Sequence, residues 1–316
     1  MTASIAVAPR SRTIGLIAMT VAIVSFSISS PLIKWSGNTG SVIAFWRMVG
    51  AMLAWWTVML VVRMRTDRTF PSAATWRTVL PAALFFGANI ATFFTAITRT
   101  SIAHAEFIAA MSPLLLLPAG AVFFHESPNW RALRWGAVSI VGMTLVLFFG
   151  PANGAATVGG DVLMMLVLVF WVGYLLLSKR ARNRGVGTIE FMVCMAPLGL
   201  LTAGPIAALI AGDEIFGLDA RGWLAVVLLT FFTGVVAHAL LVFAQKLIPI
   251  ATIGVMQSGQ PALAVLWGVI ILGETVNSPQ IVGMVLVVVG LALFTWSSKR
   301  VPELPSADAA ETFLQP

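Results

Sequence analysis

The sequence predicts an all-α integral membrane protein: ten transmembrane helices in two inverted five-helix repeats, both termini cytoplasmic. Three observations carry that expectation. Composition is the first: 59% of the 316 residues are apolar and only 10% are charged, where a soluble domain carries about a quarter charged residues. So few charges cannot cover a globular surface, which excludes a soluble enzyme, a secreted disulfide scaffold and a disordered chain. The second is the placement of Lys and Arg, and the third is an internal repeat.

A spanning helix needs about 20 mostly apolar residues to cross a hydrocarbon core roughly 30 Å thick. Ten stretches qualify: 13–33, 41–62, 78–98, 102–124, 132–150, 160–178, 188–211, 222–245, 250–272 and 279–297. The first follows Arg10 and Arg12 and is read as a retained span, since it has full spanning length and no A-x-A site with a soluble domain follows. The second and third are separated by the longest polar gap, near 63–77, which has no room for a soluble domain. The remaining spans follow one another through short polar links. Residues 1–12 are expected to be a cytoplasmic N-terminal tail and 298–316, with Pro302, Pro305, Glu303, Asp308 and Glu311, a disordered cytoplasmic tail.

With the N-terminus inside, the inner segments hold fifteen Lys and Arg, and the outer loops hold three, Lys34, Arg99 and Arg221. That is the positive-inside bias, and a missed span would scramble it. The net charge of +7 is thereby explained by membrane orientation, and no nucleic-acid partner is expected. Cys194 is the only cysteine, and His104, His125 and His238 are scattered, so neither a disulfide nor a metal site is expected. No cofactor is called for. GxxxxGK[ST], HExxH and GxSxG are absent, so an ATP-driven pump would need its ATPase on another chain, and no ATPase partner is expected.

Shifting the chain by 148 residues superposes Pro113 on Pro261, Gly120 on Gly268, Glu126 on Glu274, Asn129 on Asn277 and Gly142 on Gly290. Apolar matches are cheap here, but coincident Pro, Glu and Asn are not. The repeats are expected over 13–150 and 160–297. Five spans is an odd number, so the halves insert with opposite orientation, a transporter architecture.

At these residues the chain resembles the drug/metabolite transporter superfamily, and within it the EamA-type ten-helix permeases. The resemblance covers about 13–297. It rests on Phe45-Trp46-Arg47, on the Pro…Gly-x-x-x-x-x-Glu pattern (Pro113, Gly120, Glu126; Pro261, Gly268, Glu274) and on Gly160-Asp161. It implies movement of small metabolites such as amino acids, often coupled to protons or exchange. It also implies a central cavity lined by the first, third, fourth, sixth, eighth and ninth spans.

Polar groups within spans are costly and are functional candidates by default. Asn89 shares one helix face with Thr92 and Ala96 in the third span; Gly234, His238 and Gln245 share one in the eighth. His238 could bind a substrate carboxylate or carry a proton; an interhelical hydrogen bond is the plainer role. Gln257 and Gln260 precede Pro261, whose missing N–H exposes backbone dipoles and suits a zwitterion or polar metabolite. Their fourth-span counterparts are Ala109, Ser112 and Pro113. Glu106 either couples protons or pairs with Arg99, the second being the more ordinary role. Trp171 and Tyr174 face a Ser-rich first span (Ser25, Ser29, Ser30) broken at Pro31, an arrangement able to hold a flat or apolar side chain. Arg47 reads as architectural, and Glu126 and Glu274 as structural or gating groups.

The expected function is a secondary transporter, an exporter by preference, of small polar or amphipathic metabolites such as amino acids across the cytoplasmic membrane. It would work by alternating access with proton coupling through His238 and Glu106. A membrane-embedded enzyme acting on lipid-linked substrates fits less well, because it would cluster His, Asp or Glu at a membrane face. A passive channel would need a continuous polar stripe.

Overall fold

The computed structural model describes residues 9–100, 102–126, 130–149, 157–273 and 277–299, and these are all helix and short connections. Glu274, Asn129 and the two tails named above lie at or beyond the limits of the described residues. In order, the helices are α1 (Pro9–Ser27), α2 (Ser29–Ser36), α3 (Gly40–Arg65), α4 (Ala73–Ile97), α5 (Ile102–Ala109), α6 (Ser112–Phe124), α7 (Trp130–Phe148), α8 (Val158–Asn183) and α9 (Thr188–Ala211). They continue with α10 (Ala220–Leu229), α11 (His238–Ala244), α12 (Ile250–Gln257), α13 (Gln260–Leu272) and α14 (Ser278–Lys299). A 3-10 turn (Gly212–Phe216) follows α9, and a π-helical stretch (Thr230–Ala237) joins α10 to α11. Among the described residues, seven helical runs are long and apolar enough to cross a membrane. The segments α5–α6, α7 and α14 occupy the expected fourth, fifth and tenth stretches.

Helix starts follow local chemistry. Ser72 accepts from Thr75 N–H, Thr157 from Gly160 N–H and Asp219 from Gly222 N–H, each satisfying an orphan donor of a first turn. Asp219 also accepts from the Asn38 amide at 2.8 Å; that bond first, then the Gly222 N–H, holds its carboxyl below the usual range. The start of α8 is tied to the end of α4. Thr157 Oγ1 donates to Arg99 O at 2.8 Å, and Thr100 Oγ1 donates to Asp161 at 2.6 Å. A Cβ on Gly160 would lie 2.5 Å from Arg99 O, which explains the Gly-Asp pair at this point.

The duplication is visible in the backbone. Helices α5 and α6 recur as α12 and α13 with both bounds shifted by 148 residues, including the break between them. Their C-caps, His125 and Gly273, are both left-handed, with φ of 53° and 69°. Pro113 and Pro261 each stand second in the helix after the break. The missing N–H leaves the Ala109 and Gln257 carbonyls without an i→i−4 donor.

Helices α7 and α14 pack along their length and reveal how the halves are related. A Cβ on Gly142 would meet Gly283 O at 2.6 Å and Val287 N at 2.8 Å. On Gly290 it would meet Trp135 O at 2.9 Å and Ser139 N at 2.8 Å. Each set is the other moved by 148, and Ser139 Oγ donates to Val287 O at 3.3 Å across the same separation. Residue numbers rise along one helix as they fall along the other, so these equivalent helices are antiparallel. An isologous contact of this kind implies a two-fold axis perpendicular to the helices.

Candidate functional site

A cavity lies where the helix breaks meet. Its wall takes Phe26 and Ser29 from the α1–α2 break, Asn89 and Phe94 from α4, Glu106, Ala109 and Ser112 from α5–α6, and Trp171 from α8. The opposite wall brings Thr233 and His238 from the π stretch and α11, and Gln257, Gln260 and Pro261 from α12–α13. Arg47 of α3 joins them, so the second span contributes beyond the six spans expected.

The breaks explain why polar groups can gather here. Irregular backbone at membrane depth is tolerated where it is buried in protein or lines a cavity. Asn89 Nδ2 donates to Val167 O at 2.9 Å, which fixes one wall. Trp171 Nε1 donates to Gln257 Oε1 at 3.3 Å and links α8 to α12. Gln260 and Ser112, counterparts under the repeat, both reach the cavity.

His238 sits in an aromatic enclosure. Its ring centroid lies 4.7 Å from Phe26, 4.6 Å from Phe86, 6.0 Å from Tyr174 and 6.1 Å from Trp171, all edge-on. Its Nδ1 is buried without a hydrogen-bond partner among the described residues. Tyr174 is fully buried behind this ring cluster and does not line the cavity, and its hydroxyl is likewise unpartnered. Pro31 is also off the wall. The first helix breaks at Ile28, before the proline, and Pro31 stands third in α2.

The expected eighth-span face divides. His238 faces the cavity, while Gln245 stands two turns further along, at the far end of α11. There Gln245 Nε2 donates to Ser178 Oγ at 2.7 Å.

Two residues at the site carry formal charge. Arg47 is 1% exposed; its Nε donates to Thr233 Oγ1 at 2.9 Å and its guanidinium lies 5.8 Å from the Phe94 ring centroid. Glu106 is 2% exposed and accepts from Ser30 Oγ at 2.7 Å, while Arg99 is exposed to the surroundings. Sequence reasoning left Arg47 and Thr233 out of the site. The available signal was an arginine inside an apolar span, but its partner is 186 residues away. The His104 side chain lies outside the described residues.

A second polar cluster closes one end of the bundle. Glu126 follows the C-terminus of α6, where a carboxylate is disfavoured by the helix dipole. Its oxygens instead accept from Ile250 N–H at 2.9 Å and Ala251 N–H at 3.4 Å, the first N–H groups of α12. Lys179 Nζ lies 2.8 Å from Glu126 and donates to the Gln245 and Ile248 carbonyls. The pair thus caps two helix ends at once.

A helical bundle with a duplicated half and a cavity where polar groups meet at helix breaks is the architecture of many membrane transporters. The chain belongs to the EamA-like transporter family, whose sequence pattern matches residues 13–148 and 158–296. It is a multi-pass protein of the cytoplasmic membrane and not an enzyme. It is similar to the threonine/homoserine exporter RhtA of Salmonella typhimurium, 25% identical over 232 residues, covering 71% of this chain and 74% of that one. An uncharacterized transporter of Pseudomonas aeruginosa is 24% identical over 276 residues, covering 84% and 82% of the two chains. A solved crystal structure matches with a TM-score of 0.69 at 19% identity, covering 90% of this chain and 98% of that one, a likeness of fold.

Proposed function

We propose that the protein is a secondary transporter that exports small amino-acid-like metabolites by alternating access through the central cavity. The observation that carries this reading is the convergence of polar side chains from both halves on one cavity at the helix breaks. The antiparallel relation of α7 and α14 supports two inverted halves of five spans each, ten in all, over 13–150 and 160–297. The excess of Lys and Arg on the inner segments supports cytoplasmic termini. Inverted halves can exchange conformations, giving inward-open and outward-open states of similar energy. The Lys179–Glu126 cluster serves as the inner gate in this reading. The similarity to threonine/homoserine exporters supports both the amino-acid class and the outward direction.

His238, Asn89, Gln257, Gln260, Trp171, Ser112 and Ser29 form the substrate surface, with Tyr174 supporting it from behind. Glu106 and His238 are the titratable groups for proton coupling, and the breaks at Pro113 and Pro261, with Pro31 beside a third, supply the hinges.

The test is flux from proteoliposomes holding the purified protein, loaded with amino acids and common metabolites and followed by mass spectrometry against empty liposomes. Selective, saturable, gradient-dependent loss of amino acids is expected; unselective leakage would indicate a channel. The His238→Phe variant keeps the ring packing. It is expected to lose gradient-driven flux while retaining exchange down a substrate gradient, and unchanged pH-gradient dependence would remove His238 from the coupling.

A further inference from the structure

The cavity contains an arginine and a glutamate that are not used against each other. Arg47 spends only Nε, on Thr233, and its Nη1 and Nη2 donate to no group among the described residues. Among the described residues Glu106 is engaged only through Oε1, by Ser30, and its Oε2 accepts from none of them. The two side chains line the same cavity yet form no ion pair, since no nitrogen–oxygen approach between them falls within 4.0 Å; Arg68–Glu190 and Lys179–Glu126, by contrast, do pair.

Isolated charges in an apolar bundle are expensive, and removing one partner of a buried pair leaves the other uncompensated. A ligand carrying both signs would compensate both charges at once. A guanidinium with two free Nη groups presents the fork that matches a carboxylate. A carboxylate with one free oxygen accepts from an ammonium. Phe26, Phe94 and Trp171 line the same cavity and offer apolar surface to the rest of the ligand.

We infer that Arg47 and Glu106 are the two charge anchors of the transport site, Arg47 for the carboxylate and Glu106 for the ammonium of a zwitterionic α-amino acid. This deepens the proposed function and rests on it. Both anchors belong to the first half. Their counterparts under the repeat are Met195 and Gly254, neither of which can hold a charge, so the substrate has one charged binding frame and not two equivalent ones. The two-point arrangement rejects molecules that carry only one of the charges, because the other anchor would then be left desolvated and unpaired.

The experiment uses the full chain in proteoliposomes and three probes of one skeleton: L-homoserine, 3-aminopropan-1-ol, which lacks the carboxylate, and 4-hydroxybutyrate, which lacks the ammonium. Each competes against radiolabelled L-homoserine counterflow. The wild type is expected to prefer homoserine over either analogue by on the order of 10- to 100-fold, the worth of one charged hydrogen-bonded contact. Arg47→Gln is expected to erase the preference over 3-aminopropan-1-ol alone, and Glu106→Gln the preference over 4-hydroxybutyrate alone. If Arg47→Gln does not fold, the wild-type analogue comparison still decides: equal competition by all three probes overturns the inference. So does a variant that weakens all probes alike, which marks a structural role. Homoserine transport with unaltered discrimination in both variants overturns the anchors and leaves the proposed function standing. No flux of homoserine or any other amino acid overturns both.

Discussion

The broken helix pair of the first half recurs residue for residue in the second, but its chemistry does not. α5–α6 and α12–α13 begin, break and end 148 residues apart. Across the cavity, however, the first half supplies the charges, Arg47 and Glu106, with one amide, Asn89, and the second half supplies two glutamines and the imidazole, Gln257, Gln260 and His238. The first half's counterparts to those glutamines are Ala109 and Ser112, and its counterpart to His238 is Ile90. Backbone symmetry is what a rocking bundle needs, because its two end states must be close in energy. A single asymmetric substrate fits no symmetric set of contacts. The duplicated fold has therefore kept its breaks and caps while the side chains facing the cavity diverged.

The severest way to break the comparison is at the Lys179–Glu126 pair, where charge joins the halves. Lys179→Ala leaves the Glu126 carboxylate without its cation in a largely buried setting, at a cost of about 3–5 kcal/mol. A large fall in thermal stability in detergent is expected, together with loss of gated flux. Exchanging the two residues, Lys179→Glu with Glu126→Lys, is not expected to rescue it. The carboxylate would face helix-end carbonyls and the ammonium would face the N–H groups of α12. Rescue by the exchange would reduce the cluster to a simple ion pair.

A milder change sharpens the symmetry itself. Gly142→Ala and Gly290→Ala each push a methyl into the α7–α14 seam, within 2.6 Å of Gly283 O and 2.9 Å of Trp135 O respectively. Overpacking of this kind costs about 1–3 kcal/mol, and the two losses should agree closely. Unequal melting shifts would mean that the seam is symmetric in contacts but not in energy.

The smallest effect tests the chemical asymmetry. Gln257→Ala gives the second half the residue the first half has at Ala109 and leaves Trp171 Nε1 without its partner. One lost hydrogen bond is worth about 1 kcal/mol, so an approximately fivefold rise in the half-saturating substrate concentration is expected, with insertion unchanged. Unchanged flux would remove Gln257 from the substrate surface.

Much of this was legible without coordinates. Helical class follows from a long apolar chain with few charges, because only internally hydrogen-bonded segments survive in hydrocarbon. The duplication was legible because Pro, Gly and Glu are costly to place by chance at one offset. The cavity residues Asn89, Gln257, Gln260, Ser112 and Ser29 stood out because polar groups in apolar helices are conspicuous. Tertiary structure alone decided how they combine. Arg47 meets Thr233 across 186 residues, on a π stretch of the eighth span that has no periodicity to read. Tyr174 was conspicuous as the one tyrosine, yet packing puts it behind His238. Glu126 stood at the wrong end of its own helix until folding brought the right end of another, α12, against it. Local hydrophobic period and backbone chemistry are properties of neighbouring residues and can be read from the chain. Which charge faces which helix end is a property of distant segments, settled only when the halves pack.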